Sequence, residues 1–350
     1  MKVGFLMNDV TFRVNKDDFI DSHHNNIYIS RSDRHQTVEA YEASLNYNTS
    51  DLISTLGEFF EREILINSNP LQKKTLLATS LYNGESKKIA SNKVIFSGEF
   101  IDSCGMSSHT LSNKTITNSF FEFFERQSYL LNYLSKSQGV IVNISNEVSL
   151  VKYDAYLKQF VDEIKYYDIS LDSDLHVILA VCTGETFKAV GLGTSVCMYQ
   201  GVLKSQKEAL QYFAVSITKH NNLGVGYSTS SNMDRDLYHS NFDSLSSSEL
   251  SSNYSYLNKN AATIMVNRSN DKKLELANLI NRLYQKYKIH PYITSLSSHR
   301  DIPNLKITKV YDENWFPHMN PKLYPSSMYD FIEDSTGLSL DRSVEVIPFP

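Results

Sequence analysis

Glu58-Phe59-Phe60-Glu61-Arg62 is the stretch that decides the fold, because the same five letters recur at Glu122-Phe123-Phe124-Glu125-Arg126. A small polar residue stands four positions before each copy, Ser54 before the first and Asn118 before the second. Self-similarity of this kind, with matching context, indicates a structural unit that the chain uses twice.

The spacing within each copy predicts a helix with one acidic stripe. On an α-helix, residues i, i+4 and i+7 lie on one face, so Ser54, Glu58 and Glu61 would line up while most other positions are apolar. Two carboxylates one turn apart repel each other, and a divalent cation with oxygen ligands would relieve that repulsion. Two such helices facing each other would form a carboxylate cage able to hold Mg²⁺ against a polyphosphate.

The alternative interpretation is two ordinary amphipathic helices. Their acids would then be solvated, and Arg62 and Arg126 would pair with them. A single copy of the motif would favour this alternative, but the duplication favours the cage.

Length and composition exclude several classes of protein. A chain of 350 residues can form two domains or one large one, and a net charge of −5 gives no support for binding nucleic acid or an anionic membrane. Three cysteines, Cys104, Cys182 and Cys197, contain no C-x-x-C pair, which favours a reducing, cytoplasmic setting. The chain shows no signal peptide and no apolar run long enough to span a bilayer.

Strands and long helices alternate along the chain, which predicts an α/β or α+β fold with helices covering sheets. The predicted helices are 51–67, 115–135, 201–220 and 272–288. The predicted strands are 93–96, 99–101, 140–144, 304–310 and a hairpin of 177–182 with 187–191.

Residues 1–50 and 51–350 differ in composition. The first 50 are polar with few strand signals, and we expect a partly ordered opening segment of the same domain. Within 51–350, the Ser- and Asn-rich stretch at about 227–260 predicts a long surface insertion. The alternation at 344–347 predicts a last strand that carries the C-terminus inward.

Several common motifs are absent. The sequence has no Walker P-loop, and Gly191-Leu192-Gly193 lacks the rest of a dinucleotide fingerprint. His23-His24 reads as a pair of exposed histidines, and neither Cys104 nor Cys197 has the local signature of a cysteine protease. A nucleotide, if one is used, must bind without the usual phosphate-binding loops.

The sequence, including its paired motifs, resembles the YcaO family of ATP-dependent enzymes that modify peptide backbones. Within that family it is most similar to the azoline-forming cyclodehydratases. Most of the chain takes part in this resemblance. Five ordered stretches carry it: Ser54-x3-Glu58-xx-Glu61-Arg62; Asp102 to His109, continuing through Asn113 to Glu122-xx-Glu125-Arg126; Gly193 leading to Glu208-xx-Gln211; Asn314 to Asn320; and the terminal Val346-Ile347-Pro348-Phe349-Pro350.

The resemblance implies a YcaO-like fold, with the repeated helices packed on sheets around a central ATP and Mg²⁺ site, so that 51–350 would be the catalytic domain. The implied metal ligands are carboxylates: Glu58, Glu61, Glu122, Glu125 and Glu208. The implied nucleotide-binding residues are polar or cationic: Ser54, Arg62, Ser107, Asn113, Arg126 and Gln211. The terminal carboxylate of Pro350 is implied as a catalytic base or positioning group.

The implied reaction converts Cys, Ser or Thr of a ribosomal precursor peptide into thiazoline or oxazoline rings, as in thiazole/oxazole-modified microcins. The implied partners are the precursor peptide, a separate leader-binding (E1-like) subunit and a flavin-dependent dehydrogenase. No segment before Asp51 is large enough to be a recognition domain for the precursor, so we expect that function in another chain.

One position departs from the family pattern. Lys114 stands where an acidic residue often follows the position of Asn113. This departure motivates one alternative to azoline formation, a non-catalytic scaffold that binds nucleotide or partners. Within the family, a thioamide-forming enzyme on the same machinery is the other alternative, although the proline-rich end favours azolines.

Overall fold

The protein forms three β-sheets and eight α-helices in the part of the chain that the structure describes. The structure is a computed structural model, and it describes residues 10–15, 25–32, 37–45, 49–66, 75–95, 102–221, 237–268, 274–296 and 304–350. The helices are α1 (Thr49–Ile66), α2 (Ser112–Ser135), α3 (Val148–Leu157), α4 (Met198–Asn221), α5 (Leu237–Ser244), α6 (Ser247–Asn253), α7 (Leu276–Tyr287) and α8 (Ser326–Thr336). The mixed α/β class predicted from sequence is confirmed.

The first sheet is an antiparallel meander near the N-terminus. Its strands are β1 (Val10–Asn15), β2 (Asn25–Ser32) and β3 (Thr37–Ser44), in that order. Three strands thus form in a segment whose sequence shows few strand signals. The last strand is held by packing that a polar composition does not reveal: Val38 and Ala40 are fully buried beside α1.

The second sheet has five antiparallel strands. They are β4 (Thr75–Ser80), β5 (Ser86–Ala90), β6 (Met106–His109), β12 (Tyr292–Ser295) and β13 (Lys306–Tyr311), in the order β5-β4-β12-β13-β6. The strand predicted at 304–310 corresponds to β13.

The predicted strand at 93–96 is wrong over its described residues. Ser91–Lys93 is a 3₁₀ turn, and the carbonyl of Ser91 accepts from the amides of Val94 and Ile95 at 3.0 and 2.8 Å. The side chains of Val94 and Ile95 are buried although the backbone here is a turn. Consecutive buried apolar residues resemble a strand in the sequence, which explains the wrong prediction. Phe96 and the predicted strand 99–101 lie outside the described residues.

The third sheet also has five strands. They are β7 (Val140–Asn143), β8 (Glu163–Asp168), β9 (His176–Thr183), β10 (Lys188–Ser195) and β11 (Thr263–Met265), in the order β10-β9-β8-β7-β11. Only the β11–β7 pair is parallel among the pairings described in this sheet. The predicted hairpin of β9 and β10 and the predicted strand at β7 are confirmed.

Helices α1, α2 and α4 connect the sheets. α1 packs on β3 and β6, α2 on β6, β13 and β10, and α4 on β10, β9 and β3. Two glycines allow α4 to lie close to β10: a Cβ on Gly191 or Gly193 would stand 2.1 Å from a backbone oxygen of α4. The helices predicted at 51–67, 115–135, 201–220 and 272–288 correspond to α1, α2, α4 and α7.

The Ser- and Asn-rich stretch is not the surface loop that its composition predicts. Its described part, from residue 237, forms α5, α6 and a 3₁₀ turn at Ser255–Asn258; residues 227–236 lie outside the described chain. Ser246 caps α6 in a reciprocal capping box with Glu249. The serines supply caps and an exposed face, while the few apolar residues are buried in the main core: Phe242, Leu250, Tyr254, Tyr256 and Leu257.

Two further expectations concern the whole chain. None of the helices in the described ranges has the length and apolar character needed to cross a bilayer. Cys104, Cys182 and Cys197 are all buried free thiols. The division into an opening segment, a catalytic domain and an insertion stays a prediction.

Candidate active site

The acidic stripe of α1 faces a cavity, as the repeat predicts. The cavity has a volume of about 400 Å³ and lies between α1, α2, α4, β3 and β6. Its lining is mostly polar: Glu42, Ile53, Ser54, Gly57, Glu58, Glu61, Ser108, His109, Asn118 and Gln211. Ser54 and Asn118, the small polar residues that precede the two motifs, thus open into the same space.

The first motif also contains the ion pair that the alternative interpretation predicts. Arg62 Nη2 lies 2.6 Å from Glu58 Oε1, one turn apart on α1, and both side chains are about a third exposed (40% and 30%). A pair this exposed contributes little to stability, roughly 0–1 kcal/mol. Pairing with Arg62 therefore does not remove Glu58 from the cavity that it lines.

Glu61 is the second acid of the α1 stripe. Burial raises its pKa to about 7, while hydrogen bonds from Ser108 on β6 oppose the rise. Gly57 allows this contact, because a Cβ there would stand 2.7 Å from the Ser108 hydroxyl. The close approach of α1 to β6 thus places Ser108 as a donor to a carboxylate.

The second motif lies close to the first, because the charge of Glu61 acts on Glu122. Burial raises the pKa of Glu122 well above its usual value; the charge of Arg126 opposes this rise, and Glu61 and Glu125 add to it. Thr194 on β10 donates its hydroxyl proton to Glu125 at 2.7 Å. Within the described chain, the buried Nε of Arg126 has no hydrogen-bond partner, which leaves a cationic donor next to the acids.

Helix α4 supplies the third group of polar side chains. The backbone amide of Leu192 donates to Glu208, and burial raises the pKa of Glu208 to about 7 against the attraction of Arg126. Gln211, one turn later, donates its amide to the carbonyl of Tyr41 on β3. The tight packing of α4 on β10 therefore sets the position of Glu208.

Glu42 belongs to this group, although the sequence analysis missed it. It lies on β3 and lines the cavity; burial and the charges of Glu58 and Asp51 raise its pKa to about 8. No motif surrounds it, and its only sequence signal is an acid at an inward position of a strand that was itself not predicted.

Two implied nucleotide-binding residues, Ser107 and Asn113, lie outside the cavity lining, as does Lys114, the position that departs from the family pattern. Ser107 is buried in β6, where it pairs with Thr308. Asn113 and Lys114 are exposed in the first turn of α2, and the Asn113 side chain accepts from the Lys114 amide at 2.9 Å. None of the three lines the described cavity, and their roles stay predictions.

The sequence profile of the family described as YcaO cyclodehydratase, ATP- and Mg²⁺-binding, matches residues 74–310, which is more than half of the chain. The chain belongs to the YcaO family. As a YcaO protein it binds ATP and Mg²⁺ and is an ATP-dependent enzyme of the cyclodehydratase type.

Solved YcaO structures share the fold. A chain of the E. coli microcin synthetase McbBCD complex is 17% identical with a TM-score of 0.73, over 100% of this chain and 99% of that one. YcaO from Methanopyrus kandleri, bound with AMPPCP and Mg²⁺, is 12% identical with a TM-score of 0.67, over 87% and 86%. A heterocyclase in complex with substrate and cofactor is 13% identical with a TM-score of 0.65, over 98% of this chain and 55% of that one. None of the curated protein sequences matches significantly.

The residues present fit a cationic cofactor. Glu42, Glu61 and Glu208 have pKa values raised to about 7 or 8, chiefly by burial, so their charged forms are destabilised without a counter-charge. Bound Mg²⁺ would supply that charge through oxygen ligands. Among the described side chains, however, no three of Asp, Glu, His or Cys stand close enough to form a ready ligand set. The acids form an electrostatic cluster, and their assignment as ligands stays a prediction.

The C-terminal tail approaches the same site, but not as the predicted strand. Residues 338–350 have no strand pairing in the described chain. The amide of Asp341 donates to the carbonyl of Leu134 at 2.7 Å, near the end of α2, and the ring of Phe349 lies 4.9 Å from the guanidinium carbon of Arg126. The tail thus runs back along α2 towards the motif arginine, with Ile347 and Phe349 buried. The role of Pro350 stays a prediction.

Proposed function

We propose that this YcaO protein is the cyclodehydratase subunit that converts Cys, Ser or Thr of a ribosomal precursor peptide to thiazoline or oxazoline rings. The observation that supports the proposal is that Glu58, Glu61 and Glu208 are close enough to one another or to the charged residues of the second motif to interact electrostatically, and that the C-terminal tail packs against Arg126 of that motif. In the proposed reaction the side-chain thiol or hydroxyl attacks the preceding backbone carbonyl. The oxyanion takes a phosphoryl group, and loss of phosphate completes the ring.

Bound ATP would supply the phosphoryl group that turns the amide oxygen into a leaving group, and Mg²⁺ would neutralise the charge of the phosphates. The chain's own residues bind the nucleotide and the metal and accept the proton of the attacking group. We assign Ser54, Arg62, Ser107, Asn113, Arg126 and Gln211 to nucleotide binding, and Glu58, Glu61, Glu122, Glu125 and Glu208 to metal binding. The carboxylate of Pro350 would accept the proton of the attacking group, an effect worth about 10²–10⁴ in rate.

The partners are also part of the proposal. The E. coli relative is part of a complex, McbBCD, and a second structure of it has pro-MccB17 bound. We expect this chain likewise to act with a precursor peptide, a leader-binding (E1-like) subunit and a flavin-dependent dehydrogenase. A cytoplasmic location stays a prediction.

The test uses the purified protein with its partner subunits, a precursor peptide, ATP and Mg²⁺. We expect phosphate release together with loss of one water mass for each ring. A mass change equal to exchange of oxygen for sulfur, with a sulfur donor supplied, would identify the thioamide-forming alternative. ATP binding without turnover on any precursor would identify the scaffold.

A further inference from the structure

Two buried tyrosines hold the C-terminal tail at one backbone oxygen. The hydroxyl of Tyr254 donates to the carbonyl of Pro348 at 2.8 Å, and the hydroxyls of Tyr129 and Tyr254 are 2.5 Å apart. Tyr129 is fully buried on α2, and Tyr254, 2% exposed, follows α6 in the Ser- and Asn-rich stretch. The stretch that composition assigns to the surface therefore reaches the tail inside the core.

The direction of the proton chain follows from counting donors. A carbonyl oxygen only accepts, so the one hydroxyl proton of Tyr254 goes to Pro348. Tyr129 must then donate its own proton to the oxygen of Tyr254. Hydrogen bonds in a chain of this kind polarise and strengthen one another in a buried environment.

The tail has few other ways to be held. Pro348 and Pro350 have no backbone N–H, and the amide of Phe349 donates locally to the carbonyl of Ile347 at 2.9 Å. The last three residues can therefore contact the rest of the protein only through their carbonyl oxygens and their side-chain rings. The ring of Phe349 packs against α2, where it lies 5.3 Å from the ring of Tyr129 and 4.9 Å from the guanidinium carbon of Arg126.

We propose that Tyr254, supported by Tyr129, is a positioning residue that fixes Pro348 and thereby the position of the terminal carboxylate, two residues further along the tail. This inference rests on the proposed function of the tail. It adds a residue that no sequence motif indicates, and it gives the Ser- and Asn-rich stretch a role in the active site.

The experiment compares Tyr254→Phe with Tyr256→Phe in the full chain with its partner subunits. Each change removes one buried hydroxyl, but the hydroxyl of Tyr256 donates to the side chain of Asn132 at 2.9 Å and not to the tail. Hydrogen exchange at the amides of Ile347 and Phe349 should accelerate about fivefold in Tyr254→Phe, the order expected for one lost hydrogen bond, and should stay unchanged in Tyr256→Phe.

A kinetic readout separates positioning from general stability. In Tyr254→Phe the kcat for ring formation should fall tenfold or more, while the KM for ATP and the affinity for AMPPCP with Mg²⁺ stay as in the wild type. Tyr129→Phe, which keeps the bond to Pro348 but removes its support, should give a smaller change of the same kind. It also serves as the test if Tyr254→Phe does not fold.

Two results would overturn the proposal. One is tail exchange in Tyr254→Phe equal to that of the wild type, and the other is equal acceleration in Tyr254→Phe and Tyr256→Phe. Hydrogen exchange needs no precursor peptide. A wild-type protein that forms no rings would therefore count against the proposed function, while the tail contact would still be judged by exchange.

Discussion

At the residue scale, Glu58 and Glu125 offer the simplest test of metal binding. Glu58→Gln and Glu125→Gln keep side-chain volume and remove one ligand charge each, so phosphate release should be abolished. The fold should survive, because Glu58 loses only an exposed ion pair and a glutamine at 125 can still accept from Thr194. The measurements are phosphate release and the thermal midpoint.

Glu163→Gln is the matched control for both variants. Glu163 is an exposed acid of β8 that pairs with Lys165 on the same strand, and we expect full activity from it. Full activity in Glu58→Gln and Glu125→Gln as well would mean that the acidic stripes are solvated surface and that the metal assignment is wrong.

The raised pKa values make a second prediction at this scale. Glu42 and Glu208 have folded-state pKa values of about 8 and about 7, against 4.5 when unfolded. The folded protein therefore holds protons that the unfolded chain has released, and its stability falls as pH rises to about 8. The slope is at most about 1.4 kcal/mol per pH unit for each such carboxyl.

The useful window begins near pH 7. Burial lowers the pKa of His318 to about 4, whereas an unfolded histidine is half protonated at about pH 6.5, so this residue is mostly neutral in both states only above about pH 7. Urea unfolding without nucleotide should show stability falling between about pH 7 and 8. Glu42→Gln and Glu208→Gln should each flatten that fall, as should Mg²⁺ with AMPPCP. A flat profile in the wild type would contradict the acidic cluster.

At the element scale, substitutions at two glycines should distinguish a contact that stabilises the fold from a contact that positions an active-site side chain. A Cβ at Gly193 meets a backbone oxygen of α4 at 2.1 Å, whereas one at Gly57 meets only the Ser108 hydroxyl at 2.7 Å. Gly193→Ala should cost about 1–3 kcal/mol or more of unfolding free energy, because α4 must move. Gly57→Ala should cost less but lower phosphate release, because the hydroxyl that turns away is the donor to Glu61.

Unfolding free energies and phosphate release of both variants check this prediction. If Gly57→Ala lost as much unfolding free energy as Gly193→Ala, the contact between α1 and β6 would be as rigid as that between α4 and β10, and the prediction would be wrong. Wild-type turnover in Gly57→Ala would show that the bond from Ser108 to Glu61 has no functional part.

Periodic elements could be predicted from the sequence. The helices α1, α2 and α4 carry apolar residues at helical spacing, and the repeated motif assigns the acidic faces of α1 and α2. The hairpin of β9 and β10 is marked by the turn at Gly184. These elements bring most of the predicted acids to one region, which is why the site could be anticipated.

The remaining features depend on contacts between distant segments. Glu42 comes from a strand whose residues look polar, and its partners Glu58 and Glu208 are far along the chain. Tyr254 lies among serines and asparagines, and only the packing of its ring and the carbonyl of Pro348 bring it inside. Val344 to Ile347 alternate like a strand, yet the tail packs along α2 without a strand partner in the described chain.

At the scale of the whole molecule, the last residues should matter more than chain ends usually do. Deleting or extending an ordinary terminus has little effect. Here one or two glycines added after Pro350 would displace the carboxylate without disturbing buried Phe349. ATP binding should persist, while ring formation falls by at least about 10². An extended protein that forms rings at the wild-type rate would show that the tail only packs.

The proposed reaction requires that ATP activates the backbone amide oxygen of the precursor peptide. Its most direct test is a precursor carrying a heavy-oxygen label in the carbonyl that precedes a reactive cysteine, incubated with the protein, its partner subunits, ATP and Mg²⁺. Mass spectrometry then follows both the peptide and the released phosphate. We expect the peptide to lose its labelled oxygen atom with each ring that forms, and we expect that label to appear in the released phosphate. Rings that form while the phosphate stays unlabelled would contradict the proposed reaction.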